Sequence, residues 1–227
     1  MEELTHEYEK VLLYIKTLVK EKKLKLGERI PAEREIAQTL SVSRNSTREA
    51  LKILVGNGMI EKRRGSGNYL VCNTSKSLAE AIDMMLLLKQ TNMKEICEFR
   101  RYMEKVSCEM IFAKEEELKI FANELRNIVG IMMRSTVEEQ TEIDRIFHYA
   151  LIEKTENQLF IALMKTVTIR YRNWIDNVLE RTDDKEREAI LLCHEKICKA
   201  LEENNLKACL DAVDEHYDRI EVLREHM

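Results

Sequence analysis

Proline and glycine are scarce in this sequence: its 227 residues include one proline and six glycines. Sheet-rich folds of this length need many tight turns, which these two residues favour, so their scarcity argues against a β-sandwich or a barrel. Hydrophobic residues make up 44% and charged residues 34% of the chain, which excludes a wholly disordered protein. The composition therefore predicts a mainly α-helical protein with a buried core.

Long apolar runs and a signal-like N-terminus are also missing. No uninterrupted apolar run reaches the roughly 18 residues of a membrane span, and residues 1–9 are acidic, unlike a secretory signal. The six cysteines form no C-x-x-C pair and no zinc-ribbon spacing, so we expect reduced, mostly buried thiols. These absences predict a soluble, cytoplasmic protein with no membrane partner.

Charge and glycine are unevenly distributed along the chain. Residues 1–72 carry 14 Lys and Arg against 10 Asp and Glu, a net charge of +4, whereas residues 73–227 carry 23 against 31, a net of −8. Five of the six glycines and the one proline also lie in the first stretch. We therefore expect two domains, residues 1–73 and 77–227, of which only the first could meet a polyanion.

The first domain combines helical patterns with a short hairpin. Apolar residues recur at helical spacing in three segments, namely residues 8–19, a stretch after Pro31, and residues 44–55, where Ser43 is a good N-cap. Two strand-like segments follow at residues 59–63 and 68–72, with a glycine-rich turn between them. Three helices followed by a hairpin is the element order of a winged helix-turn-helix domain.

Basic side chains cluster on the third predicted helix and on the hairpin. Arg44 and Arg48 are four residues apart and share a helix face, from which arginine can contact guanine or phosphate in the major groove. Each residue alone could equally be a solvated surface group, but their combination predicts duplex DNA as the partner. The candidate DNA-contacting residues are Arg34, Arg44, Asn45, Ser46, Thr47, Arg48, Arg64, Gly65 and Gly67.

Five short motifs occur in order along this domain. They are LGERIPAEREIA at residues 26–37, VSR at 42–44, REAL at 48–51, GMI at 58–60 and GSG at 65–67. Together they resemble the GntR family of bacterial transcription regulators. The resemblance implies that Arg34, Arg44 and Arg48 contact DNA, that Gly67 is part of the wing tip, and that the protein is a regulator rather than an enzyme.

Beyond residue 77 the chain shows consecutive amphipathic segments separated by short polar connections. Such a pattern predicts an all-helical bundle in the second domain. The predicted helices cover residues 77–89, 93–113, 115–133, 137–154, 157–180, 184–203 and 205–225.

Three histidines and an aspartate occupy inward positions of these helices. Asp144 and His148 share one helix face, and His194 and His216 lie in apolar stripes, each eleven residues from Asn205 at the turn between the last two helices. Antiparallel helices would bring those two imidazoles level with each other. Three imidazoles and one carboxylate suit Zn²⁺, Ni²⁺, Mn²⁺ or Fe²⁺, although a hydrogen-bonded core histidine is the alternative for each residue alone.

The same positions carry a second resemblance. The pattern Asp144-x-x-x-His148, Asn157, His194, Ile197, Ala200-Leu201 and His216 resembles the FCD ligand-binding domain of the FadR subfamily, in its metal-binding version. This implies that Asp144, His148, His194 and His216 hold a divalent metal whose coordination a small carboxylate completes. Arg100, similar to a family arginine, is the candidate partner of the effector carboxylate, and a salt bridge with a neighbouring glutamate is equally compatible.

Together these patterns predict a homodimeric transcription regulator whose operator affinity responds to a small carboxylate effector, with repression favoured over activation. Two alternatives stay open at this point. In one, the metal is purely structural or is itself the sensed signal. In the other, the metal site is that of a hydrolase.

Overall fold

The structure is a computed structural model that describes residues 6–73, 75–114, 117–168 and 182–225. Helices make up most of these residues and the strands form one two-stranded sheet, so the predicted mainly α-helical fold is confirmed. In chain order the elements are α1 (Glu7–Lys20), α2 (Glu33–Leu40), α3 (Arg44–Gly56), β1 (Ile60–Arg63), β2 (Gly67–Leu70), α4 (Ser75–Leu87), α5 (Met93–Phe112), α6 (Leu118–Met132), α7 (Val137–Lys154), α8 (helical over residues 158–168), α9 (Asp184–Glu202) and α10 (Leu206–Glu225).

The predicted helix limits agree with the structure to within a few residues. The helix expected from residue 115 begins at Leu118 among the described residues, because Glu117 has a left-handed backbone with φ 64° and stands as the N-cap. Of the helix expected at 157–180, the part from residue 169 onward lies outside the described residues. No helix in the described part of the chain is both long and apolar enough to cross a membrane.

Contacts divide the chain into two compact units, Met1–Ala81 and Ile82–Met227. The division falls inside α4, beyond the linker expected near residues 72–77. The domain limits of 1–73 and 77–227 stay a prediction.

The first unit packs α1, α2 and α3 around one small core. Ser41 adopts a left-handed conformation, φ 54°, that ends α2, and the Ser43 hydroxyl accepts a hydrogen bond from Ser46 N to start α3. Such a cap is worth about 1 kcal/mol, and it sets the turn between the two helices. The core residues are Val11, Ile15, Leu24, Ile30, Ile36, Ala50, Leu51, Leu54 and Ile60.

The wing is the antiparallel pair β1 and β2, whose register runs from Ile60 opposite Leu70 to Arg63 opposite Gly67. Gly67 has φ 115°, and a Cβ added there would lie 2.7 Å from Arg29 Nε. Glycine is therefore required at this position for two reasons, the backbone conformation and the space that the Arg29 side chain occupies.

The second unit is a helical bundle in which α9 packs against both α6 and α10, and α5 packs against α7 and α10. Asn204 and Asn205 form the turn between α9 and α10, where Asn204 has φ 51° and Asn205 Oδ1 accepts from Ala208 N. The apolar centre includes Leu125, Val129, Phe147, Leu151, Ile197, Leu201 and Val213, none of which is exposed. Truncating one of these leucines to alanine would cost about 2–5 kcal/mol of unfolding free energy. Five of the six cysteines are buried, and Cys72 is exposed.

Candidate functional site

The predicted arginines of the first unit are exposed. Arg44 and Arg48 stand one turn apart at the start of α3, and Arg34 lies in the first turn of α2. Arg64 is exposed in the turn between β1 and β2. The structure therefore presents these four guanidinium groups to solvent, where they are available to phosphate or to base edges.

Arg48 is held by an acidic residue that the sequence patterns did not single out. Its Nε and Nη2 donate to Glu33 Oε2 at 3.3 Å and 3.2 Å, and the Arg48 side chain remains 50% exposed. A surface pair of this kind is worth about 0–1 kcal/mol. Glu33 can therefore orient the guanidinium without preventing its transfer to DNA.

A second acidic residue, Glu7 of α1, reaches the start of α3. Its Oε2 accepts from Ser43 N at 2.9 Å and from the Ser46 hydroxyl at 2.8 Å. These hydrogen bonds, led by the one from Ser43 N, lower the pKa of the Glu7 carboxyl. Only the tertiary structure places Glu7 here, since 36 residues separate it from Ser43.

The polar triplet after Arg44 has three different environments. Asn45 is exposed and Ser46 is half-buried, whereas Thr47 is fully buried and its hydroxyl donates to Ser43 O at 3.0 Å. Thr47 therefore stabilises the first turn of α3 and differs from its exposed neighbours. At the wing, Gly65 is exposed in the turn with φ 72°, and Gly67 accommodates Arg29.

In the second unit, the structure brings Asp144, His148, His194 and His216 together. One donor atom from each residue lies within 4.8 Å of the others, and all four residues are buried. Asp144 Oδ1 is 3.5 Å from His148 Nε2 and 3.1 Å from His194 Nε2, and the two Nε2 atoms are 3.3 Å apart. Three helices supply the set: α7 gives Asp144 and His148, α9 gives His194 and α10 gives His216.

This cluster fits a first-row divalent metal. Donors bound at about 2.0–2.2 Å lie about 3.0–3.4 Å apart in octahedral or tetrahedral geometry, close to the separations around Asp144. In addition, His194 Nδ1 and His216 Nδ1 are buried and have no hydrogen-bond partner among the described residues. Imidazole and carboxylate are donors that such ions accept.

Glu104 of α5 orients one histidine of the cluster. Its Oε1 is 2.6 Å from His148 Nδ1, and its Oε2 accepts from the Tyr217 hydroxyl at 2.7 Å. A carboxylate behind a ligating histidine holds the ring in place and raises its basicity. Sequence analysis missed Glu104, although a signal existed: a lone acid in the inward stripe Cys97, Arg100, Glu104, Cys108 and Ile111.

Electrostatics in the cluster depart strongly from those of the same groups in water. Burial opposes ionisation of Asp144, but His148 and His194 outweigh it and hold its pKa well below the usual range. Burial likewise opposes a charge on His148, yet Glu104 and Asp144 raise its pKa to about 10. Burial and the neighbouring histidines lower the pKa of His216. In the metal-free protein, therefore, His148 carries the proton that balances two carboxylates.

Arg100 lies on the α5 side of the cluster and is 5% exposed. Its charge favours the ionised form of Glu104 and disfavours a charge on His216, which places it near both. A cavity of about 20 Å³ adjoins the cluster between α6, α7 and α9. Asp144 and His194 line it together with Gln140 and Arg187, whereas Arg100 does not.

Comparison with known proteins yields a family for each unit. The family model "Bacterial regulatory proteins, gntR family" matches residues 7–70, and the FCD domain model matches residues 95–219. The transcriptional regulator LutR of Bacillus subtilis (strain 168) is 28% identical over 153 residues, which are 66% of this chain and 69% of LutR. The Uxu operon transcriptional regulator of Escherichia coli (strain K12) is 27% identical over 218 residues, 94% of this chain and 84% of that protein.

Among solved structures, the Streptococcus agalactiae GntR protein matches with a TM-score of 0.67 and 23% identity, over 96% of this chain and 99% of that chain. At this identity the match shows a shared fold. The family matches and the curated relatives go further, because they cover both the winged unit and the bundle. The chain therefore belongs to the GntR family and is a DNA-binding transcription regulator with an FCD effector-binding domain.

Proposed function

We propose that this regulator is a cytoplasmic, homodimeric repressor of the FadR subfamily, and that a small carboxylate bound at a divalent metal in the FCD domain controls its operator affinity. The observation that carries the proposal is the buried convergence of Asp144, His148, His194 and His216. These residues would hold the metal, with Glu104 behind His148. When bound, the metal supplies a positive charge that attracts a carboxylate oxygen.

The charges buried around the cluster support an anionic effector. Asp144 and Glu104 contribute two carboxylates and Arg100 contributes one guanidinium, all of them buried. A divalent ion with neutral histidines would leave one positive charge in excess. Because uncompensated buried charge is unfavourable, one carboxylate is the ligand that balances the site, and Arg100 is its proposed ion-pairing partner.

For the DNA side, we propose that Arg34, Arg44, Asn45, Arg48 and Arg64 contact the operator. The half-buried Ser46 would contribute at the start of α3, and the buried Thr47 only by supporting that turn. Gly65 and Gly67 would let the wing backbone approach the duplex. Two winged units in a homodimer would read two half-sites of a roughly palindromic operator.

Coupling between the two sites needs only modest energy. An effector that binds one conformation of the protein better than another shifts the population toward that conformation. A typical coupling of about 1–3 kcal/mol would change operator affinity roughly 5- to 150-fold.

The test begins with selection of operator duplexes from a randomised pool by the full-length protein. Metal content is then measured by mass spectrometry, and duplex affinity is measured by fluorescence anisotropy with and without small carboxylic acids. We expect enrichment of a palindromic sequence, about one divalent ion per chain, and weaker operator binding when an acid is added to the metal-loaded protein.

Two outcomes would contradict the proposal. If metal alone changes operator affinity and no acid adds to the change, the metal is the signal. If chelation leaves the response to the acids intact, the cluster is not the effector site. Gel filtration with light scattering reports the oligomeric state in the same samples.

A further inference from the structure

Gln140 places a hydrogen-bond acceptor in the cavity beside Asp144 and His194. This residue lies near the start of α7, and its Nε2 donates to Ser135 O at 3.2 Å. Its Oε1 is buried and has no hydrogen-bond partner among the described residues. The opposite orientation of the amide would set Oε1 against the Ser135 carbonyl oxygen, so the acceptor is the atom left for the cavity.

A buried acceptor without a donor is unfavourable, because the group has lost its bonds to water. At other edges of this bundle such oxygens are satisfied locally; Asn205 Oδ1, for example, accepts from Ala208 N. Gln140 Oε1 differs in facing a cavity that also contains two residues of the metal cluster. A ligand at the cluster is therefore well placed to supply the missing donor.

Arg187 determines what kind of donor fits. Its guanidinium lines the same cavity, where Nη2 donates to Thr182 O at 2.5 Å and Nη1 to Asp184 at 3.2 Å. These contacts hold a positive charge near Gln140 in a side chain that is only 15% exposed. An ammonium donor would be repelled by that charge, whereas a neutral hydroxyl would not.

The size of the cavity limits the donor further. Its volume is about 20 Å³, and Met132 and Ile190 form apolar walls. A single water-sized group needs roughly 10–15 Å³ when volume is measured by a water-sized probe. The space therefore suits one hydroxyl.

We infer that the Gln140 cavity is the subsite for a hydroxyl of the effector, and that the effector is a small hydroxycarboxylic acid. Its carboxylate binds at the Asp144 and His194 end, where the metal cluster lies, and its hydroxyl donates to Gln140 Oε1. The inference rests on the proposed function, since it requires an acid at the metal site. It adds the class of acid and the residue that selects it.

The experiment uses metal-loaded full-length protein and four three-carbon acids: lactate, 3-hydroxypropanoate, propanoate and alanine. Affinities are measured by isothermal titration calorimetry at one pH. We expect at least one of the two hydroxy acids to bind at least about tenfold more tightly than propanoate, because an acceptor left unpaired loses about that factor. Alanine should bind no better than propanoate.

The Gln140→Met variant separates the amide from the metal, which can itself prefer a hydroxy acid by chelation. The variant should lose about tenfold of the hydroxyl preference while its metal content and its affinity for propanoate stay unchanged. Gln158→Met is the matched control, because Gln158 is exposed on α8 and does not line the cavity. If the methionine variant folds poorly, Gln140→Leu gives the same comparison.

Equal binding of hydroxy and deoxy acids to the natural protein would overturn the inference, and so would a hydroxyl preference that survives in Gln140→Met. In both cases metal uptake and the response of operator binding to acids would still support the proposed function. A protein that takes up no metal, or whose operator binding no acid changes, refutes the proposed function and this inference together.

Discussion

The two units of this protein use charge in opposite ways. The winged unit displays its guanidinium groups on the surface, where Arg44 and Arg48 are both exposed. The helical bundle instead buries Glu104, Asp144 and Arg100 next to three histidines. Exposed charges can meet a polyanion without first losing a partner in the core, whereas buried charges must be balanced one against another.

This difference has consequences for how each site responds to solution conditions. Binding through surface arginines depends on salt, because DNA contacts release counterions. The buried site should respond little to salt and strongly to protons, since its carboxylates and His148 have displaced pKa values. The predictions below test each half of that comparison, beginning with the largest effect.

Removing one metal-binding side chain should have the largest effect. His216→Ala deletes one of four donors from a buried cluster, so we expect metal affinity to fall more than about 100-fold, beyond the loss seen for supporting residues. Metal content after dialysis and calorimetric titration measure the change. His6→Ala, at an exposed histidine of the winged unit, should leave metal binding unchanged. Retention of metal by the His216 variant would rule out the assigned site.

Removing a surface arginine should have the next largest effect. Arg44→Ala should weaken operator binding by about 1–3 kcal/mol, roughly 5- to 150-fold, while helicity measured by circular dichroism stays the same. Arg134→Ala deletes an exposed arginine from the bundle and serves as the control. Equal losses in both variants would mean that Arg44 acts through net charge and makes no contact of its own.

Metal affinity should depend on pH through His148. Burial opposes a charge on this ring, but Glu104 and Asp144 raise its pKa to about 10, so the ring is protonated near neutral pH. Metal binds only the neutral ring, so each unit by which the pH falls should weaken apparent affinity up to about tenfold. The lowered pKa values of Asp144 and His216 leave no proton to release there. Titrations in buffers of different ionisation enthalpy should count about one proton per metal.

Glu104→Gln provides the control for this pH dependence. The variant removes the carboxylate that contributes most to raising the pKa of His148, so the pKa should fall and the pH dependence should flatten. An unchanged slope would show that the released proton comes from another group.

The smallest effect is expected at the Glu33–Arg48 pair. Glu33→Gln removes a surface partner worth about 0–1 kcal/mol, so operator affinity should change less than about fivefold. Affinity for a scrambled duplex should rise more than affinity for the operator, because Arg48 loses the contact that orients it. Glu35→Gln removes the same charge from an exposed position on α2 without touching Arg48. The two variants should therefore differ in discrimination, as measured by the ratio of the two affinities.

Much of the fold could be predicted from local patterns. The limits of α7 agree with the predicted 137–154, because its polar cap Thr136 and apolar period are both local features. The start of α6 was less predictable, since it depends on the backbone of Glu117. Spacing from the turn at Asn205 also indicated that His194 and His216 face inward, as their burial shows.

The sequence by itself determined the element order, the cationic character of the first unit and the inward stripes that carry the histidines, because helix periodicity and composition act over a few residues. The tertiary structure alone decided that Glu7 caps α3, that Glu104 supports His148 and that Gln140 lines a cavity beside Asp144. These contacts join helices far apart in the chain, so no periodicity relates them. Their strength comes from burial, which exists only once the helices have packed.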